Sequence, residues 1–168
     1  ASLAVLSTIL GVETFTAISD LYKVAQPPHF LQMHKGELAQ TKIDDFMSSY
    51  EGLTHWQIQT MINIYGESLT VISDKGTYDL GDIHLDIGLV KQNVSRDLLL
   101  DNWHNKVILN QGEIGIPVLL RNQYDIKVGD KIVLNSEGVT KKFVIKEFIL
   151  DSQMNSSMTS STRILLSD

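Results

Sequence analysis

The residue order predicts an α+β fold, in which an N-terminal stalk helix precedes a mixed β-α-β unit and a β-rich subdomain. Three observations predict it. Apolar residues from Leu3 to Ala25 keep near-helical spacing and stop at Pro27-Pro28. Several later stretches alternate apolar and polar residues in the manner of half-buried strands. Between Gly112 and Asn135 the chain reads as strand, proline, short helix, turn and strand without interruption.

That last stretch, GEIGIPVLLRNQYDIKVGDKIVLN, organises the remainder. Glu113–Ile116 is a strand, and Pro117 opens a helix over Val118–Tyr124, since the first helical position needs no backbone donor. Val128-Gly129-Asp130 then turns the chain into a strand over Lys131–Leu134.

The other elements follow in order. The first helix carries Leu6, Ile9, Leu10, Phe15, Ile18, Leu21, Tyr22 and Ala25 at near-helical intervals. Pro27-Pro28 forbids its continuation and extends the backbone before Pro27, so a stalk ending at a hinge is expected. His29–His34 can form a strand that Gly36 breaks. Thr41 and Asp44 form a weak relative of a capping box ahead of a helix whose apolar face is Ile43, Phe46, Met47 and Tyr50, ended by Gly52. Trp56, Ile58, Ile62 and Ile64 then predict a strand with one buried face, which completes the β-α-β unit.

Leu69–Ile72 continues as a strand, with Asp74-Lys75-Gly76 as a hairpin turn. Ile83, Leu85 and Ile87 alternate with Asp82, His84 and Asp86 in another half-buried strand. Residues 90–111 show no clear period, though Leu98-Leu99-Leu100 beside Trp103 must bury something. Asn135-Ser136-Glu137-Gly138 is a hairpin loop. Val139–Leu150 returns as a long strand whose alternation breaks at Glu147, and Arg163–Leu166 is a final strand after the polar run 151–162. The predicted division is a stalk over residues 1–26 and an α+β domain over 27–168, with 66–111 as an inserted subdomain.

Composition narrows the chemistry. A chain of 168 residues, 43% of them apolar, can bury a core and is not disordered as a whole. Fourteen basic residues stand against 20 acidic ones, and no basic run is longer than Lys141-Lys142, so no nucleic-acid partner is expected. With no cysteine, disulfides and thiolate metal sites are absent. The opening ASLAVLSTILGV is uncharged but lacks the basic start of a signal peptide, and no stretch approaches the roughly 18 apolar residues that a membrane span needs. It reads either as a buried helix or as the outer end of a transmembrane helix.

Few residues invite a reactive role. Asp82, His84 and Asp86 share a strand face at intervals of roughly 6.5–7 Å, and could hold a cation with help from elsewhere. The same alternation is what the solvated face of an amphipathic strand requires. His29, His34, His55 and His104 show no metal-ligand spacing. Ser156 and Ser157 lack a nucleophile elbow or a neighbouring base, and Met154 and Met158 could share a helical face for packing or contact. Asn93-Val94-Ser95 and Asn155-Ser156-Ser157 match the short glycosylation sequon, a pattern common by chance. No phosphate-binding or dinucleotide motif is present. Catalytic residues, cofactors and metal ligands are therefore expected to be none.

Three segments in order carry a family resemblance: PPHFLQMHKGE (27–37), GEIGIPVLLRNQYDIKVGDKIVL (112–134) and DSQMNSSMTSSTRILLSD (151–168). Together they resemble the extracytoplasmic domain of FtsX-like permeases, which include the MacB-like ABC transporter subunits, in a Gram-positive branch. The resemblance implies a domain on the outer side of the cell membrane, between the first two transmembrane helices, with residues 3–25 as the outward stalk. It implies a non-catalytic role in mechanotransmission: cytosolic ATPase subunits drive movement that the domain relays to a peptide, lipoprotein or antibiotic substrate, or to an extracellular partner protein. The alternative from the residues alone is a free-standing soluble binding module, or a metal-dependent enzyme using the Asp82/His84/Asp86 face.

Overall fold

The computed structural model describes residues 2–82, 85–136, 138–154 and 161–167. Two compact units result, one formed by residues 1–28 with 61–168 and the other by His29–Thr60.

In the larger unit, helix α1 (Ser2–Ala25) precedes eight strands, β1 (Ile62–Ile64), β2 (Leu69–Ser73), β3 (Gly76–Asp79), β4 (Asp86–Lys91), β5 (Glu113–Pro117), β6 (Lys131–Ser136), β7 (Val139–Ile149) and β8 (Ser161–Leu166). Among the described residues they form one mixed sheet in the order β1-β4-β8-β5-β7-β6-β2-β3. The β4–β8 and β5–β7 pairs are parallel, and every other pair is antiparallel. With helices beside this sheet the fold is α+β, as the alternating and helical periods predict.

The organising stretch forms as read. Strand β5 ends at Pro117, and a short helix numbered here α3 occupies Val118–Tyr124. Asp125 stops that helix in the left-handed region at φ 50°. Gly129 then adopts φ +94°, a value that favours glycine, and its N–H donates to the Ile145 carbonyl at 2.8 Å. The Asp130 carboxylate accepts the Lys127 N–H at 2.8 Å and closes the turn. Both hairpins also form: Ser73 pairs with Gly76 across the β2–β3 turn, and Ser136 with Val139 across the β6–β7 turn.

Both faces of the sheet are covered in part. Leu120 of α3, flanked by Val118 and Tyr124, packs on a face built from Leu69, Ile87, Ile114, Ile132, Ile145 and Ile164. On the opposite face Val90, Ile149 and Leu165 lie under Leu99 and Val107. Parallel β4 and β8 sit inside the sheet and bury all four of their central residues.

Strand β7 changes face through a bulge. Ile114 pairs with Ile145 but Gly115 with Glu147, so Lys146 is the extra residue. The break in alternation at Glu147 has this cause. With the bulge, Phe148 joins Ile145 on the α3 face and Ile149 turns to the other.

Three expectations differ from the structure. The β-α-β unit does not form: His29–His34 is not a strand, and of the stretch from Trp56 only Ile62–Ile64 joins the sheet. A strand exists only with a ladder partner, and Phe30, Leu31 and Met33 remain exposed without one. The helix between them, α2 (Gln40–Ser49), has Ala39 rather than Thr41 at its N-cap, no side-chain cap, and ends before Gly52. It buries no residue, although Phe46 and Tyr50 lie side by side with ring centroids 5.9 Å apart. Finally, β4 begins at Asp86 and is buried on both faces, where a half-buried strand from Ile83 is predicted. Residues 66–111 supply β2, β3 and β4 to the common sheet.

Candidate functional site

Polar chemistry in the larger unit concentrates where α1 ends. Gln26 takes φ 48°, the left-handed conformation that terminates many helices, and its N–H donates to the Tyr22 carbonyl at 2.9 Å. A helix leaves its last carbonyls without intrahelical donors. Here a segment distant in the chain supplies donors at the helix end: the Leu98 N–H donates to the Ala25 carbonyl at 2.9 Å and the Asp97 N–H to the Gln26 carbonyl at 3.0 Å. Leu21 and Ala25 pack with Leu98 and Leu100 at the same place. Above this foot, residues 12–18 of α1 are exposed, including Phe15 at 77% and Ile18 at 51%.

Leu100 ties the docking segment to the sheet. It exchanges backbone hydrogen bonds with Leu150, at 3.2 and 2.7 Å, just beyond the end of β7. Asp151 follows, and its Oδ1 accepts the Gln153 and Met154 N–H groups at 2.8 and 2.9 Å.

Arg163 of β8 joins the two segments. Its Nε and Nη2 donate to Asp151 at 2.6 and 2.7 Å, and its Nη1 and Nη2 to Asp97 at 2.6 and 2.9 Å. All three residues are buried, with Arg163 only 2% exposed. One guanidinium thus holds two carboxylates in forked geometry, and the cluster carries one net negative charge. Burial pushes the Asp151 carboxyl upward, but the Arg163 hydrogen bonds and charge, with the two backbone donors, bring it below the usual carboxylate range. Burial likewise works against the Arg163 charge, and the two carboxylates more than offset it, raising its pKa.

Asp97 sits at φ 50°, which aspartate tolerates better than most residues. Beyond it, Asp101 accepts the Trp103 and Asn105 N–H groups, both at 2.8 Å, and holds a tight turn that leaves Trp103 85% exposed. An open groove of about 330 Å³ lies alongside, between Lys91–Val94, Lys106–Leu109 and Leu165–Ser167. The Lys106 ammonium donates to the Val94 carbonyl at 2.7 Å on its wall.

Comparison with protein-family models, with curated proteins and with solved structures returns no match.

Asp82 lies exposed in a turn before β4, and Asp86 is exposed at its first position, while His84 falls outside the described residues. Among the described residues no group of three His, Asp or Glu side chains could hold a metal ion. His29, His34 and His55 are exposed, and the His104 N–H donates to the Asp101 carbonyl at 3.0 Å. Met154 is buried, whereas Asn155, Ser156, Ser157 and Met158 lie outside the described residues.

The residue pattern does not single out Asp97, and Arg163 reads in it only as the start of a strand. One signal could have found the arginine. It stands inside TRILL, a run suited to a strand buried on both faces, where an unpaired charge is untenable.

Proposed function

We propose that the chain is the extracytoplasmic domain of an FtsX-like, MacB-like ABC transporter permease. It binds a substrate or partner and relays ATP-driven movement without catalysing a reaction. The observation that carries this reading is α1: exposed from Val12 to Ile18, and held to the sheet unit at its last turn. A helix that leaves Phe15, Ile18 and Tyr22 in solvent lacks the apolar neighbours such side chains favour. In the permease reading the rest of the transporter supplies them, and the helix acts as a lever held at its base. The ordered resemblance of residues 27–37, 112–134 and 151–168 supports the same reading, as does the buried tie between the foot of α1 and β8.

Among the described residues no helix is long and apolar enough to cross a membrane. The reading therefore requires the complete gene to encode hydrophobic spans on both sides of this segment, with an ATPase subunit encoded nearby. Sequencing the full reading frame and its neighbours is the test, and a complete frame lacking both spans overturns the reading. Calorimetric titration with Zn²⁺ and Mn²⁺ addresses the alternative of a metal-dependent enzyme. Heatless injections are the expected result, and a saturable heat that Asp82→Asn abolishes would favour the enzyme.

A further inference from the structure

We infer that Asp97 and Arg163 are the positioning residues of a joint that makes the foot of α1 and strand β8 move as one body, an inference that rests on the relay reading above. Three observations meet in this joint. The Ala25 carbonyl that ends α1 accepts the Leu98 N–H, and the Gln26 carbonyl just beyond it accepts the Asp97 N–H. The Asp97 side chain is held by the forked pair from Arg163. Arg163 in turn belongs to β8, whose residues 161–166 pair with β4 along its whole length.

Electrostatics explains why the arginine is needed. A helix C-terminus carries partial negative charge, so a buried carboxylate on the residue that caps it is repelled. Arg163 offsets that repulsion and, through its second fork, fixes the cap to Asp151 behind β7. Without it the two buried carboxylates would lose their counter-charge. A displacement of α1 then reaches β8 through short, buried, charge-assisted contacts instead of through a deformable loop.

Asp97→Asn tests the joint with little change of shape, because asparagine also tolerates the left-handed backbone. In this chain, site-resolved amide exchange should accelerate at residues 97 and 98 by at least about tenfold while the amides of the β6–β7 hairpin stay within about twofold of wild type. Arg163→Met should give a larger effect at the same amides. Should that variant fail to fold, Asp97→Asn alone carries the test. Wild-type exchange at 97 and 98 in folded Asp97→Asn, or uniform acceleration across the sheet, overturns the joint. In the full-length permease the same substitution should leave ATP hydrolysis running while substrate movement or partner activation falls. Normal coupling there, with the exchange result as expected, would show a joint that does not transmit. Neither exchange outcome depends on membrane spans in the gene, so failure of the joint and failure of the permease reading are told apart.

Discussion

Arg163 illustrates how a single side chain can stabilise or undermine the fold according to its company. Burying a guanidinium and two carboxylates costs several kcal/mol per charge, and complete pairing offsets most of that cost. Removing one partner is therefore expensive: Asp151→Asn should destabilise the chain by about 3 kcal/mol at neutral pH. Its pH dependence has a definite sign. The folded carboxyl titrates below its unfolded value of about 3.9, so the stability it contributes is present above that value. It is lost as pH falls through the lower, folded value. Urea titrations over a pH series should show wild-type stability dropping below about pH 4 and Asp151→Asn dropping less over the same range. Equal slopes would mean that Asp151 is not held ionised by Arg163. The exposed Lys75–Asp125 pair, although it raises the lysine and lowers the aspartate, should contribute nothing comparable, because solvent screens it.

Strand β7 shows how an element tolerates one error and no other. Lys146 is the residue absorbed by the bulge. Its ion pair with Glu113 is long, at 3.9 Å, and half exposed on the lysine side. Deleting Lys146 leaves Ile145 opposite Ile114 and Glu147 opposite Gly115 in a regular ladder, with Phe148 and Ile149 on their present faces. The deletion should fold and unfold cooperatively. Deleting Val144, two residues earlier in regular pairing with Lys131 and Glu113, reverses every side chain on one side of the cut and should abolish the cooperative transition. Thermal denaturation of the two variants separates the cases, and a folded Val144 deletion would contradict this account of the register. Helix α1 is governed differently. Its uncharged opening and near-helical spacing fix it as a helix, and at its foot Leu21, Ala25 and the backbone capping hold it to the sheet unit.

For the molecule as a whole, stability is unevenly distributed. The sheet unit contains the buried core, whereas His29–Thr60 offers a helix with no buried residue flanked by irregular chain. Regions with few buried apolar contacts open at low free energy. Limited trypsin treatment should therefore cleave first at Lys35 or Lys42, and the nicked chain should keep a thermal midpoint within a few degrees of the intact one. First cleavage in the β6–β7 hairpin, or collapse of the midpoint on nicking, would show that residues 29–60 support the sheet. Under the permease reading a loosely built unit is free to be ordered by a partner.

Whatever depends on neighbours along the chain is legible in the residue order. Periods of 3.6 and 2, Pro27-Pro28, Gly129 and the two hairpin turns act within a few residues, and they were enough for the α+β class, for α1, and for the strand–helix–strand stretch of 113–134. Glu147 even marked the bulge, since a broken alternation is a local signal. Which segments find partners is settled only by folding. HFLQMH has the composition of a strand and no ladder to join, and β4 looks half-buried until Leu99 and Val107 cover its second face. Asp97, Asp151 and Arg163 meet across up to 66 positions of sequence separation. The physical reason is range: backbone propensity is written in adjacent residues, whereas pairing, enclosure and charge neutralisation are properties of groups that only folding brings together.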